Sequence, residues 1–400
     1  MSVEGISADG DLRRPAPGGN AAQAVPRYTV DCLASVDDLP PDLWDTLAPA
    51  HDPMWGREVF AAMEGAAIGP DAYAYLLVRR DDRPVAVLPL SAVHRLRLER
   101  VVGPAERRLL APVDRLFPRL LQVTMLFCGN FLGQGHVLGE DPLPPEAAEL
   151  LVREVLQFAR RHRLGTVVFK DFAPPELDAL RPALDGAGFF VVAGLPDTEL
   201  PLGHRDFEEY LVSLPAKPRR NARNKIRKFR AQEGLRIEVL EEFDDLVPDM
   251  MGLYGQVMER ADQTLDVLDE TFIRRLADSP DTDQRLVACF ERDRLVGYLH
   301  CLFRGRGAVG ARIGLDYRLA HRARLYHNLH YAAIELAITR GCRHIRFAQT
   351  AYEPKRELGC ELVEQSYAMN HTRRLPRAVL RLLLPRALET AREQALAPKS

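Results

Sequence analysis

The 400-residue chain has six cysteines, Cys32, Cys128, Cys289, Cys301, Cys342 and Cys360, and no two of them stand as C-x-x-C. A zinc site therefore has no support, and the thiols, most of them in apolar strand-like contexts, are expected as reduced core residues. No apolar run approaches the roughly 20 residues that span a bilayer. The opening MSVEGISADGDLRR has no apolar core of the kind a secretory signal needs. With neither feature, a cytoplasmic location is expected. Charge of one sign is missing too. Lys and Arg total 54 against 56 Asp and Glu, a net charge of −2, so any attraction to nucleic acid has to come from a local patch. No Ser-His-Asp arrangement, P-loop or HExxH motif stands out, and no metal or tightly bound cofactor is expected.

What is present is a pattern written twice. Tyr75 to Leu90 (YLLVRRDDRPVAVLPL) and Arg285 to Cys301 (RLVACFERDRLVGYLHC) are each an apolar run, a charged turn and a second apolar run. That is the pattern of a β-hairpin. Arg160 to Phe172 (RRHRLGTVVFKDF) and Ala337 to Thr350 (AITRGCRHIRFAQT) each end a helical pattern at a glycine and enter a strand. Asp82 and Asp293 stand 211 residues apart and Gly165 and Gly341 stand 176 apart, so the first copy is 35 residues longer between its two echoes. Hydrophobic content of 46% with 28% charged residues suits a soluble globular protein of two or three domains.

Residues 1–27, rich in Gly, Ala, Pro and Asp, are expected to be disordered. A first domain is expected over 28–200 and a second over 201–370, with a proline-interrupted basic amphipathic tail over 371–400. In the first, one or two helices over Pro41–Ala62 precede the hairpin. Leu120–Gly139 reads as a strand followed by a glycine-rich loop. The helix over Pro144–Gly165 opens on prolines and carries Leu151, Val155, Phe158 and Ala159 on one face. In the second, a helical segment broken near Pro215 and Pro218 leads to the strand RIEVLEEF, two helices, the hairpin, the strand AVGARIGLDY, a helix ending at Gly341 and the strand HIRFAQT. Helix, hairpin, strand, helix, strand in each half predicts an α+β fold, a mixed and mostly antiparallel sheet flanked by helices.

The loop Gln349–Cys360 (QTAYEPKRELGC) leaves the last of these strands, where α/β folds usually place ligands; the first copy has DFAPPELDAL there, with neither Lys nor Tyr. Lys355 would place positive charge where an oxyanion develops, and Tyr352 would exchange a proton. The alternative has Tyr352 packed and Lys355 solvated. Lys217–Arg230 (KPRRNARNKIRKFR) concentrates cations in a near-neutral chain, and helical spacing sets Arg220, Arg223, Arg227 and Arg230 on one side as a ribbon for a phosphate backbone. The competing picture pairs that helix with Glu241, Glu242 and Asp244. Arg322 and Arg324 add charge ahead of the next helix, where Tyr326, Asn328 and Tyr331 are candidates to line a substrate pocket. Glu259 and Arg260 are a further pair, either at an acceptor site or on the surface. Gly133-Gln134-Gly135 is a candidate phosphate loop or a plain turn.

The order Leu315-Asp316-Tyr317, Tyr326-His327-Asn328-Leu329, Tyr331, Gly341, Phe347, then Tyr352-Glu353-x-Lys355-x-x-Leu358-Gly359-Cys360 resembles the GNAT-fold acyltransferases of the Fem-like (FemABX) type. The resemblance covers most of 205–370 well and 28–200 loosely. It implies two tandem GNAT domains and transfer of an acyl or aminoacyl group to an amine, as in cell-wall (peptidoglycan) or natural-product synthesis. It also implies that Lys355, ahead of a Leu-Gly step, lies near the reacting carbonyl. Tyr352 matches its aromatic less well, because Glu353 and Pro354 intervene. Acetyl-CoA-dependent GNATs share a Q/R-x-x-G-x-G/A loop whose N–H groups hold the pyrophosphate at a helix N-terminus. No glycine lies between Asp316 and Tyr331 here.

The resulting expectation is an N-acyltransferase using aminoacyl-tRNA, with Lys355 and Tyr352 catalytic, Gln349, Tyr326 and Asn328 orienting substrates, and a small-molecule or peptide amine as acceptor. The alternatives are an acyl-CoA-dependent enzyme of the same fold and a catalytically inert GNAT pair that binds RNA or a partner.

Overall fold

The computed structural model describes residues 26–97, 122–261 and 267–397. The disorder expected over 1–27 falls, except for Pro26 and Arg27, outside the described residues.

The chain opens with β1 (Tyr28–Leu33), α1 (Pro41–Leu47) and α2 (Arg57–Glu64). The first hairpin is β2 (Ala72–Arg80) and β3 (Arg83–Arg97). Its turn residues Asp81 and Asp82 both have positive φ, 47° and 65°, the two-residue turn whose twist matches paired strands. β4 (Gln122–Cys128) and β5 (Leu138–Gly139) follow. α3 (Pro145–Arg161) opens on a proline and buries Leu151, Val155, Phe158 and Ala159. The left-handed residue after it is Arg163 (φ 58°) rather than the expected Gly165. Gly165 is instead small because Thr124 and His371 close on it. β6 (Thr166–Phe172), α4 (Pro174–Gly186), β7 (Phe190–Ala193) and β8 (Asp197–Pro201) complete the first half.

The second half opens with α5 (Phe207–Ser213) and α6 (Ala216–Arg230). Only Pro215 breaks the helical segment. Pro218 sits in the first turn of α6, where an N–H has no intrahelical partner and proline costs little. β9 (Leu235–Leu240), α7 (Val247–Met258), α8 (Glu270–Ala277), the hairpin β10 (Asp283–Glu291) and β11 (Arg294–Arg304), and β12 (Gly307–Leu315) follow as read from the sequence. Then come α9 (Tyr317–Ala323), α10 (Leu325–Thr339), β13 (His344–Arg346), α11 (Tyr352–Glu357), β14 (Glu361–Val363), β15 (Ser366–His371) and α12 (Arg374–Leu396). The tail is one helix running through Pro385.

Two sheets result, with strand orders β1-β2-β3-β4-β6-β15-β7 and β14-β8-β13-β12-β11-β10-β9. Each has one parallel pair, β4 with β6 and β12 with β13, and is otherwise antiparallel. The last strands are exchanged. β8, from the first half of the chain, lies between β13 and β14 of the second sheet. β15, from the second half, lies between β6 and β7 of the first. A division at 200/201 and 370/371 therefore does not follow the sheets: each sheet holds a strand from the other side of the boundary.

β2 is buried on both faces. Leu76 and Val78 face the core under α3, with Leu151 and Val155, while Tyr75 and Leu77 face a second core. That double burial is why the strand reads as a continuous apolar run. The second core is shared by both halves: Trp44, Trp55 and Phe60 join one cluster with Met250, Phe272, Leu276 and Tyr298. Each fully buried large side chain contributes about 1.5–3 kcal/mol, so the halves are held as one cooperative body. Buried Arg346 pairs with Asp52 across this junction at 2.5 Å.

Candidate functional site

The two halves differ at the end of their parallel strand pair. β4 stays paired with β6 up to Cys128, and beyond it Gly135 bridges Phe172, with its N–H donating to the Asp171 carbonyl at 2.8 Å. A Cβ at Gly135 would run into the Lys170 carbonyl. Gly133 and Leu132 donate their N–H groups to Asn130 Oδ1 at 3.0 and 2.9 Å. The glycine loop of the first half is thus a plug, with the N–H groups of Leu132, Gly133 and Gly135 already engaged. In the second half, β12 pairs with β13 only over Gly307–Val309 and continues to Leu315 paired with β11 on its other side. The register of β12 against β11 slips between Arg312 and Gly310, which leaves Ala311 as a bulge. The strand pair that is plugged in one half diverges in the other.

From the end of β13 the chain enters a tight loop. Ala348, Thr350 and Ala351 have φ of 56°, 67° and 47°, conformations that non-glycine residues adopt only when surroundings hold them. Lys355 supplies part of that hold. Its Nζ donates to the carbonyls of Ala348 (2.9 Å) and Gln349 (3.0 Å). The exchanged strand and its approach supply the rest. Thr198 Oγ1 donates to the Ala348 carbonyl at 2.7 Å, and Phe347 N–H donates to the Thr198 carbonyl at 3.0 Å. Tyr352 Oη donates to the Pro196 carbonyl at 2.8 Å. Gln349 Nε2 reaches Asp171 Oδ1 (2.8 Å) and the Leu195 carbonyl (3.1 Å).

Burial sets the protonation here. Desolvation brings the Lys355 ammonium down to about 8, against the pull of Asp197 and the Cys360 thiol. It pushes the Tyr352 phenol up to about 12 and the Cys360 thiol up to about 12. Tyr352 is then a neutral donor near pH 7, and Cys360 a packed thiol with no nucleophilic character. Lys355 is 4% exposed and uses two of its three donors on the loop.

Beside this loop lies a polar cleft of about 430 Å³ between α6, the start of α10 and α11. Asn221, Asn224, Lys225 and Lys228 face it from α6, Arg324 and His327 from α10, and Glu353 and Glu357 from α11. Lys225 forms an ion pair with Glu357, and its Nζ lies 2.7 Å from His327 Nε2. Burial, reinforced by Lys225, lowers His327 to about 4. A neutral ring whose Nε2 accepts from Lys225 carries its proton on Nδ1. Burial raises the Glu357 carboxyl, but its hydrogen bond to Lys225 and the charge of that lysine outweigh it, so the group sits lower than usual. Arg324 is left-handed (φ 57°), and no side chain caps the first turn of α10. That positive helix end opens beside Lys225, Lys228 and Arg324, which suits an anion.

The other candidates divide between cleft, core and surface. Arg220, Arg223, Arg227 and Arg230 are all exposed on α6. Arg223 pairs with Glu208, rather than with Glu241, Glu242 or Asp244, and Arg227 donates to Asn224. Arg322 is exposed. Asn328 is buried and donates to the carbonyls of Arg324 (3.0 Å), Ala323 and Lys225 (3.4 Å each), tying α10 to α6. Tyr326 stacks on His330 with 4.1 Å between ring centroids, and His330 lies 4.7 Å from Phe347 under the loop. Tyr331 is buried among Phe207 and His327. Glu259 and Arg260 form a 3.9 Å pair on the surface, with Arg260 over the Tyr317 ring. The sequence reading missed His327 and Glu357, which reach Lys225 over 102 and 132 residues of chain. It also missed Asp171 and Asp197. Nothing local in the sequence marks these contacts.

Residues 216–356 match the family described as acetyltransferase (GNAT) domain. No curated protein matches the chain. Among solved structures, FemX is similar at 13% identity and a TM-score of 0.55, covering 86% of this chain and 98% of its own. The tandem GNAT protein of the clavulanic acid biosynthesis pathway is also 13% identical, with a TM-score of 0.52 and coverage of 87% and 99%. A conserved protein of unknown function from Bacteroides thetaiotaomicron is 9% identical, with a TM-score of 0.53 and coverage of 84% and 97%. At these identities the likeness is one of fold. The chain is a tandem GNAT-fold protein built like the Fem-type proteins, with the α+β architecture that its sequence predicts.

Proposed function

We propose that the chain is an N-acyltransferase whose second half is the working half, and that its donor is an aminoacyl-tRNA. The observation that carries this reading is the position of α6. One face lines the cleft with Lys225 and Lys228 beside Arg324 at the open end of α10, and the exposed arginine ribbon runs along the same helix. A phosphate near the cleft and a phosphate chain along the helix would both meet positive charge.

The amine nitrogen of the acceptor attacks the acyl carbonyl carbon, a C–N bond forms, and the carbonyl oxygen takes the negative charge. The C–O bond to the ribose then breaks, and the departing ribose oxygen takes up the proton that the amine gives up. Holding both substrates in line supplies much of the rate. Gln349, fixed by Asp171, and the Ala348–Ala351 loop would line the reacting carbonyl, and the Lys355 charge beneath the loop would favour the oxyanion. The acceptor is a small-molecule or peptide amine.

The uncapped start of α10, with cations beside it, also suits the pyrophosphate of an acyl-CoA, the second reading. The two part in one experiment. The protein is incubated with a panel of amines and either charged tRNA or acetyl-CoA, and the acylated amine is measured. Product from charged tRNA alone is expected. Product from acetyl-CoA alone overturns the tRNA reading.

A further inference from the structure

No described helix is long and apolar enough to cross a membrane, yet α12 carries an apolar face that nothing covers. Its inner side docks: Leu380, Leu384 and Leu388 pack on the core shared by both halves, and the helix lies against β7 and β15. Its outer side presents Leu375 (82% exposed), Val379 (54%), Leu382 (70%) and Leu383 (61%). The spacing i, i+4, i+7, i+8 puts these four on one helical face. They make up most of the large exposed hydrophobics among the described residues, the others being Val212, Val239 and Val267.

The charge of the same segment says what would cover that face. Residues 373–386 contain five arginines, Arg373, Arg374, Arg377, Arg381 and Arg386, and no acid, in a chain of net charge −2. None of the five is in an ion pair among the described residues. A protein partner for these leucines, carried on the same helix as a run of five arginines, would need matching acidic groups. An anionic bilayer offers an apolar interior and negative headgroups together, and an in-plane amphipathic helix with basic flanks is the structure that exploits both.

We propose that α12 is an interfacial helix that seats the protein on an anionic membrane surface, with Leu375, Val379, Leu382 and Leu383 in the acyl boundary and the arginines at the headgroups. Docking of the inner face on β7 and β15 fixes the orientation, so the edge of the first sheet is held towards the bilayer. The proposal does not depend on the identity of the acyl donor.

The test is co-sedimentation of the full chain with vesicles of phosphatidylcholine alone or mixed with phosphatidylglycerol. The protein is expected to pellet with the anionic vesicles only, and less as salt rises, because screening weakens headgroup attraction. The variant Leu375→Ser/Val379→Ser/Leu382→Ser/Leu383→Ser changes only exposed positions, so it should keep the wild-type melting temperature while its vesicle partition falls at least tenfold. Arg374→Gln/Arg381→Gln should lose the preference for anionic lipid. Wild-type protein that stays in the supernatant with phosphatidylglycerol vesicles at low salt overturns the proposal. So does binding that the serine variant retains in full. So does a concentration-dependent dimer that the serine variant abolishes, which would assign the face to a second copy of the chain.

Discussion

Gln349 donates from Nε2 to Asp171 Oδ1 at 2.8 Å, which joins the loop after β13 to the end of β6 across 178 residues of chain. The two residues stand at corresponding strand ends of the two halves. In the first half that end is plugged by Gly135; in the second it carries the left-handed loop held by Lys355 and β8. The duplicated unit ends in a plug on one side and in a strained loop on the other, and this hydrogen bond joins the two ends. Gln349→Ala is expected to lower kcat by tenfold or more while the thermal midpoint moves little, because Asp171 keeps Lys170 as an ion-pair partner. Loss of one such hydrogen bond costs about 1 kcal/mol. Steady-state kinetics beside a thermal melt checks this.

Lys355 gives a pH signature. Its folded-state pKa is brought down to about 8 from the ordinary 10.5. Below pH 8 both folded and unfolded chains hold the proton, and the folded chain bears the whole cost of burying the charge. Between about 8 and 10.5 the unfolded chain binds more protons, so stability rises with pH through that window. Lys355→Met has no proton to release. The stability of wild type relative to this variant should climb by about 3 kcal/mol from pH 7.5 to pH 10.5, at 1.36 kcal/mol per unit. Urea unfolding of both proteins across that range measures it, and a flat difference would refute a buried ammonium.

His327 gives a slope of the same sign in a more acidic window. Its pKa is lowered to about 4, so between about 6.5 and 4 the unfolded chain takes up a proton that the folded chain refuses. Stability contributed by the neutral ring is present above 6.5 and is lost as pH falls towards 4. His327→Gln should show a shallower loss, by about 2 kcal/mol between pH 7 and pH 4.5. The remaining acid loss includes Glu357, whose lowered pKa works in the same direction.

The shared core predicts joint unfolding. Trp44 is fully buried, and its indole Nε1 donates to the Trp55 carbonyl at 2.9 Å. Trp55 Oalso accepts from Arg304 of the second half at 3.1 Å. Trp44→Ala should cost about 3–5 kcal/mol and lower a single calorimetric transition. Two separated transitions would mean that the halves do not share a core.

The elements that the sequence announces are those with a local signature. Both hairpins show because a charged turn interrupts apolar runs, and α3 shows through its proline start and one-sided apolar face. The strand exchange does not show. Asp197–Pro201 and Ser366–His371 are short and pair with strands far along the chain, and no residue type records which sheet receives them. The left-handed position after α3 fell to Arg163 because contacts at Thr124 and His371 claim Gly165. Lys355 and Tyr352 stood out as residue types in a loop, but their burial and their carbonyl partners depend on β8 arriving from the other half. The Lys225–His327–Glu357 cluster exists only once α6, α10 and α11 meet. The basic ribbon was legible, since helical spacing alone puts four arginines on one side of α6.

If the cleft between α6 and α10 receives a phosphate-bearing acyl donor, as proposed, the cations that line it should carry the binding. Titration of charged tRNA and of acetyl-CoA against wild type and Lys228→Ala/Arg324→Ala tests it most directly, because neither side chain has an ion-pair partner among the described residues. Saturable tRNA binding is expected that weakens at least tenfold in the variant and loses about 0.7–0.9 in its log–log salt slope for each phosphate contact removed. Wild-type affinity and salt slope retained in the variant, or saturable acetyl-CoA binding with none for tRNA, would contradict it.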